Sequence, residues 1–108
     1  MKKYNIRIQS NFGCPKLIHV NVYKEFEFNG FKFFIHRKVI GLGQEVSRCF
    51  GCCQYDTGHS ISSYGEPSVI SAYKSALKTL ESHKSIIEKG INDTIEKYGR
   101  ANPSLTGL

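Results

Sequence analysis

The sequence predicts a single α+β domain: an antiparallel sheet of four or five strands packed on one long C-terminal helix, with a second short helix or a bend after it. Three observations lead there. The run LIHVNVYKEFEFNGFKFFIHRKVI places aromatic and β-branched residues in alternation around Asn29-Gly30, a pair favoured in two-residue type I′ turns. From Glu66 onward the apolar spacing changes to a helical period. The length of 108 residues, with 40% hydrophobic and 22% charged residues, suits one core-burying globular domain.

The elements follow in chain order. YNIRIQ alternates Tyr4, Ile6 and Ile8 with polar residues and reads as a short strand, interrupted by Gly13 and Pro15 in NFGCPK. The hairpin around Asn29-Gly30 fixes its own register: Phe28 faces Phe31, Glu27 faces Lys32, Phe26 faces Phe33 and Glu25 faces Phe34. Alternation then assigns Ile18, Val20, Val22, Phe26, Phe28, Phe31, Phe33, Ile35 and Val39 to one face, the core. GLGQ is a loop, and EVSRCFGCCQYDTGHSIS supplies a further strand, with DTGH as a turn. Pro67 suits the first helical position, and Val69, Ile70, Tyr73, Ala76, Leu77, Leu80 and Ile87 recur at helical spacing over about six turns to Gly90, a natural stop. Ile91, Ile95 and Tyr98 keep the period beyond it. Residues 1–100 form the expected domain and 101–108 a frayed tail.

Charge is unevenly distributed. Residues 1 to 48 carry nine Lys or Arg against three Glu, so the whole net charge of +6 lies on the N-terminal half and the remainder is neutral. A one-sided basic field attracts polyanions or acidic protein surfaces, although a soluble domain with a basic bias has the same composition. The sheet face opposite the core is the candidate binding surface: His19, Asn21, Tyr23, Lys32, Phe34, His36 and Lys38, with Glu25 and Glu27 among them. Aromatics among basic and amide side chains resemble platforms on which bases stack. The alternative is the ordinary wet face of an antiparallel sheet. Exposed Tyr23 and Phe34 would also allow two copies to meet as a homodimer. The N-terminus lacks the apolar run of a signal peptide and no stretch approaches a membrane span, so a cytoplasmic protein without a membrane partner is expected.

The segment RCFGCCQYDTGH carries three of the four cysteines. In a reducing compartment they are thiols or metal ligands before they are disulfides. A zinc site would draw on Cys14, Cys49, Cys52, Cys53 and His59, with Gly51 giving the freedom a ligand-bearing turn needs. If Cys49 and Cys52 lie in a regular strand they point to opposite faces and cannot share an ion, so buried thiols without a cofactor are the leading expectation and zinc the alternative. A reactive cysteine needs a base such as His36, His59 or Arg48 brought close by the fold. No P-loop, dinucleotide fingerprint, GxSxG or HExxH is present. A non-enzymatic protein is expected.

FKFFIHRKV, then a strand ending YDTGHSI, then Gly65 and a helix with VISAYKSAL, resemble small phage and prophage accessory proteins over residues 16 to 80. That resemblance implies a mobile-element protein acting by binding a host protein or protein–nucleic-acid complex, in a class that includes inhibitors of host defence of the anti-CRISPR type. In that pattern the strand before TG carries an aromatic and apolar residues; here it carries CFGCCQ. The three-strands-then-helix order is also similar to the integrase arm-binding and plant GCC-box-binding domains, which lay a sheet in the DNA major groove with several Arg and Trp. This chain has no Trp. Direct nucleic-acid binding through the outer sheet face is the alternative function, and a zinc- or thiol-dependent activity the third.

Overall fold

A computed structural model describes residues 2–8, 16–39, 48–61 and 65–102. The chain forms strands β1 (Lys3–Ile8), β2 (Lys16–Asn21), β3 (Lys24–Phe28), β4 (Phe31–Arg37) and β5 (Phe50–Gln54), then helices α1 (Val69–Ser82) and α2 (Lys84–Tyr98). The α+β class and five strands match the expectation. The strands divide into two antiparallel sheets, a β1–β2 ribbon and a three-stranded sheet of order β3–β4–β5.

The hairpin has the register its turn dictates, Phe28 against Phe31, Phe26 against Phe33 and Glu25 against Phe34. Asn29 (φ 54°) and Gly30 (φ 84°) are both left-handed, as a type I′ turn requires. The long first strand, however, is broken at Val22–Tyr23. The Val22 amide donates to Lys2 O in the ribbon and the next amide, of Tyr23, donates to Ile35 O in the sheet. Two successive residues thus hand the chain from one layer to the other.

That hand-over divides the single predicted core in two. Phe33, Ile35 and Cys52 pack with Ala72, Ala76, Leu80 and Ile91 of the helices, joined by Phe26, Phe28 and Phe31. Ile6, Val20, Val22, Phe34 and Cys53 form a second core beneath the ribbon, with Ile18 and Val39 against it. Ile18, Val20, Val22 and Val39 therefore leave the core to which alternation assigned them, because the break at Val22–Tyr23 ends the continuous pleat that the assignment needs. The result is three layers, with β4 at the centre of the sheet and buried on both faces. Hydrophobic burial on this scale contributes about 1.5–3 kcal/mol for each large apolar side chain.

Ser68 caps α1: its hydroxyl accepts from the Ser71 amide, and the Ser71 hydroxyl accepts from the Ser68 amide. Pro67 consequently lies one residue before the cap and not at the first helical position. The buried stripe runs through Ala72, Ala76 and Leu80, while Ile70 faces outward. The helix breaks at His83 (φ −129°, ψ 34°), not at Gly90. One unbroken helix from Val69 to Tyr98 would be about 45 Å long at 1.5 Å per residue, longer than the 34 Å greatest extent of the molecule. Bending where Glu81, Ser82, His83 and Lys84 offer no core residue keeps both apolar stripes on the sheet. Gly90 lies inside α2, exposed, at a cost of about 1 kcal/mol relative to alanine.

The expected frayed tail begins with packed residues. Ala101 and Asn102 are buried, and Asn102 accepts from the Asn5 amide while donating to Asn5 O and Tyr55 O at 2.8–2.9 Å. Hydrogen bonding to the edge of β1 is what holds them; residues 103–108 lie outside the described residues. Among the described residues no helix is long and apolar enough to cross a membrane.

Candidate functional site

The seven residues predicted to share an outer face are dispersed by the ribbon. Phe34 is 0% exposed and packs with Val20, Val22 and Cys53, and His36 is 5% exposed. Neither can present a ring to a partner, and Phe34 cannot mediate a dimer. The layer that covers them is built by residues 3–8 and 16–21, which the sequence reading placed in the same sheet. His19 and Asn21 lie on the ribbon itself, opposite Asn5 and Lys3.

Lys32 is committed elsewhere. Its ammonium pairs with Glu25 at 2.8 Å, donates to Tyr4 Oη at 2.8 Å, and lies over the rings of Tyr4 and Tyr55 at 4.9 and 4.7 Å. Lys2 and the Tyr4 hydroxyl also donate to Glu25. Burial raises the Glu25 pKa, but the hydrogen bonds from Lys2, Lys32 and Tyr4 outweigh it and hold the carboxyl at about 2. For Lys32 burial acts downward, and the same partners more than reverse it, so its pKa is raised. This cluster ties β1 to the β3–β4 hairpin. Its two ammonium groups share one carboxylate, so both are engaged within the fold.

Four further basic residues lie at one end of the sheet, while Lys3, Arg7 and Lys16 lie on the ribbon. β3 starts there, β4 ends there and β5 starts there, which brings together Tyr23, Lys24, Arg37, Lys38, Arg48 and Phe50. Tyr23 and Phe50 meet edge to face with centroids 5.2 Å apart, and the Arg37 guanidinium lies 5.8 and 5.7 Å from their centroids. Lys24 lies 4.7 Å over the Tyr73 ring of α1. Lys24, Arg37 and Arg48 are exposed. Lys38 runs across Gly51 on the ribbon side of the same end. Glu66 meets this end through its paired main chain with Phe50, yet no described carboxylate forms an ion pair with Lys24, Arg37 or Arg48. Of the predicted surface, only Tyr23 and Lys38 belong to this cluster. Lys24, Arg37, Arg48 and Phe50 were missed because their proximity depends on the β4–β5 pairing, which no local motif specifies.

Gly51 does not break its strand; it lies within β5 opposite His36. Cys52 therefore points into the helix-side core and Cys53 into the ribbon-side core, and the two cannot share an ion. Cys49 precedes the strand and packs against Gly65, where an added Cβ would fall 2.5 Å from that of Cys49. His59 lies in the turn after β5, and Cys14 lies outside the described residues. Among the described residues no group of three His, Cys, Asp or Glu is arranged to hold a metal.

The fold does bring one thiol to a base. Cys53 Sγ and His36 Nε2 share a hydrogen bond of 3.0 Å, while His36 Nδ1 meets Arg37 O at 2.6 Å. Burial nevertheless pushes the Cys53 thiol up to about 12, with Lys38 pulling weakly the other way. Burial raises Cys52 as well, and its neighbour Cys53 adds to that. At neutral pH the pair is a protonated thiol against an imidazole, a contact that satisfies two buried groups and does not create a nucleophile. No protein-family model, curated protein or solved structure matches this chain.

Proposed function

We propose that the protein works by binding and not by catalysis, and that it engages the phosphates of a nucleic acid through the basic, aromatic end of the central sheet. The observation that carries this reading is the Arg37 guanidinium against Tyr23 and Phe50, with Lys24 on Tyr73 and the exposed Arg48 two residues before β5. A guanidinium is weakly hydrated, stacks on rings and offers phosphate two parallel donors. The aromatic rings add surface on which a base can rest. The likeness to mobile-element proteins supplies the setting, a host nucleic acid or a host complex that carries one.

The test is fluorescence anisotropy with labelled single-stranded and duplex oligonucleotides over a range of salt concentrations. Binding by this end gives log K falling linearly with log salt, with a slope of about −0.7 per neutralised phosphate for single strands and about −0.9 for duplex. Arg37→Ala should weaken binding to all sequences alike and reduce the slope by about one. A salt-insensitive complex, or none with any oligonucleotide, overturns the reading.

A further inference from the structure

A cavity of about 290 Å³ opens between α2 and the turn that follows β5. Ile87 and Ile91 form an apolar wall, and His59 and Thr94 supply a polar edge. Its floor is rigid, because the Gln54 side chain donates to Lys32 O and Asp56 and accepts from the Thr57 amide. On the helix side the wall contains Gly90, where an added Cβ would meet nothing within 4 Å, and Ile86 stands beside it 70% exposed.

We propose that this cavity binds a small uncharged ring with one polar edge, its apolar face against Ile87 and Ile91 and its polar edge on His59 and Thr94. The volume is at the lower end for small-molecule sites, so a single or fused ring fits and a nucleotide does not. No Lys, Arg, Asp or Glu is among the described lining residues, which disfavours an ionic ligand that would lose hydration without a counter-charge. Burial and the nearby Arg7 hold the His59 pKa below its ordinary value, so the imidazole is neutral and offers one donor and one acceptor. A helix interior disfavours glycine, yet Gly90 stands among the α2 residues that line the cavity, with open space where a side chain would begin. The ring can come from a free small molecule or from an aromatic side chain of a protein.

Phenol and indole are titrated into the full chain while the amide signals of Gly90 and Thr94 and the imidazole signal of His59 are followed by NMR. Saturable shifts confined to these positions are expected, with benzoate and benzylamine at least about tenfold weaker. N-acetyltyrosinamide distinguishes the sources: binding equal to phenol assigns the site to a protein side chain, and exclusion assigns it to a free molecule. Gly90→Leu, which suits a helix and should not lower the melting temperature, should abolish the shifts. His59→Phe should weaken phenol about tenfold through the lost hydrogen bond. The proposal is overturned by non-saturating or dispersed shifts, by equal binding of the charged analogues, or by unchanged binding in folded Gly90→Leu.

Discussion

Phe34 shows how one side chain decides between two readings of a face. It lies in the run Phe33-Phe34-Ile35, three consecutive apolar residues, and a strand buried on both sides is written that way. That signal was present in the sequence, but alternation taken alone turned Phe34 toward solvent. Phe34→Ala should therefore destabilise by about 3–5 kcal/mol in urea unfolding, the range of a fully buried phenylalanine. An exposed ring would cost far less. Cys52 and Cys53 should likewise resist a thiol reagent such as DTNB in the native state and react fully in denaturant. Their accessibility could not be read from CFGCCQ, because it depends on which layer covers each side of β5. At Glu25 the folded pKa of about 2 lies below the ordinary 4.5. Its contribution to stability is full above the unfolded value and is lost as pH falls from about 4.5 to about 2. Acid unfolding of Glu25→Gln should accordingly be flatter than that of the wild type across this window.

At the scale of elements, local chemistry was the most legible. Asn29-Gly30 fixed turn type and register because both depend on only a few neighbouring residues. The break at Val22–Tyr23 was not legible: no glycine or proline marks it, and it arises from two sheets competing for successive amides. The helix break at His83 is similar, set by the length of the core and not by a helix-breaking residue, while Gly90 continues the helix. Gly58 is a tight joint between elements, and a left-handed one. It has φ +70°, and an added Cβ would fall 2.8 Å from the Arg7 amide nitrogen and 3.0 Å from Ala101 Cβ. Gly58→Ala should cost at least about 1–3 kcal/mol in thermal or urea unfolding, since both the backbone and the packing oppose it.

Across the whole molecule, the excess charge of the N-terminal half does not act as one surface. Lys2 and Lys32 are engaged around Glu25, Lys3, Arg7 and Lys16 lie on the ribbon, and Lys24, Arg37, Lys38 and Arg48 lie at the Arg37 end of the sheet, a division that composition alone cannot express. The far edge of β1 is closed by distant residues: Arg7 N donates to Gly58 O, and Asn5 exchanges hydrogen bonds with Ala101 and Asn102. Asn102→Ala leaves the Asn5 amide and carbonyl and Tyr55 O unmet and should cost about 1–3 kcal/mol, with faster hydrogen exchange at the Asn5 amide and little change in the β3–β4 hairpin. The same closure imposes a timetable on synthesis. At 5–20 residues per second, roughly 5–20 s separate Asn5 from Asn102 on the ribosome. Throughout that interval the Asn5 part of the β1 edge is open, available to any other chain that can add a strand to it. Asn102 thus protects the Asn5 part of β1, and a truncated nascent product would lack that protection.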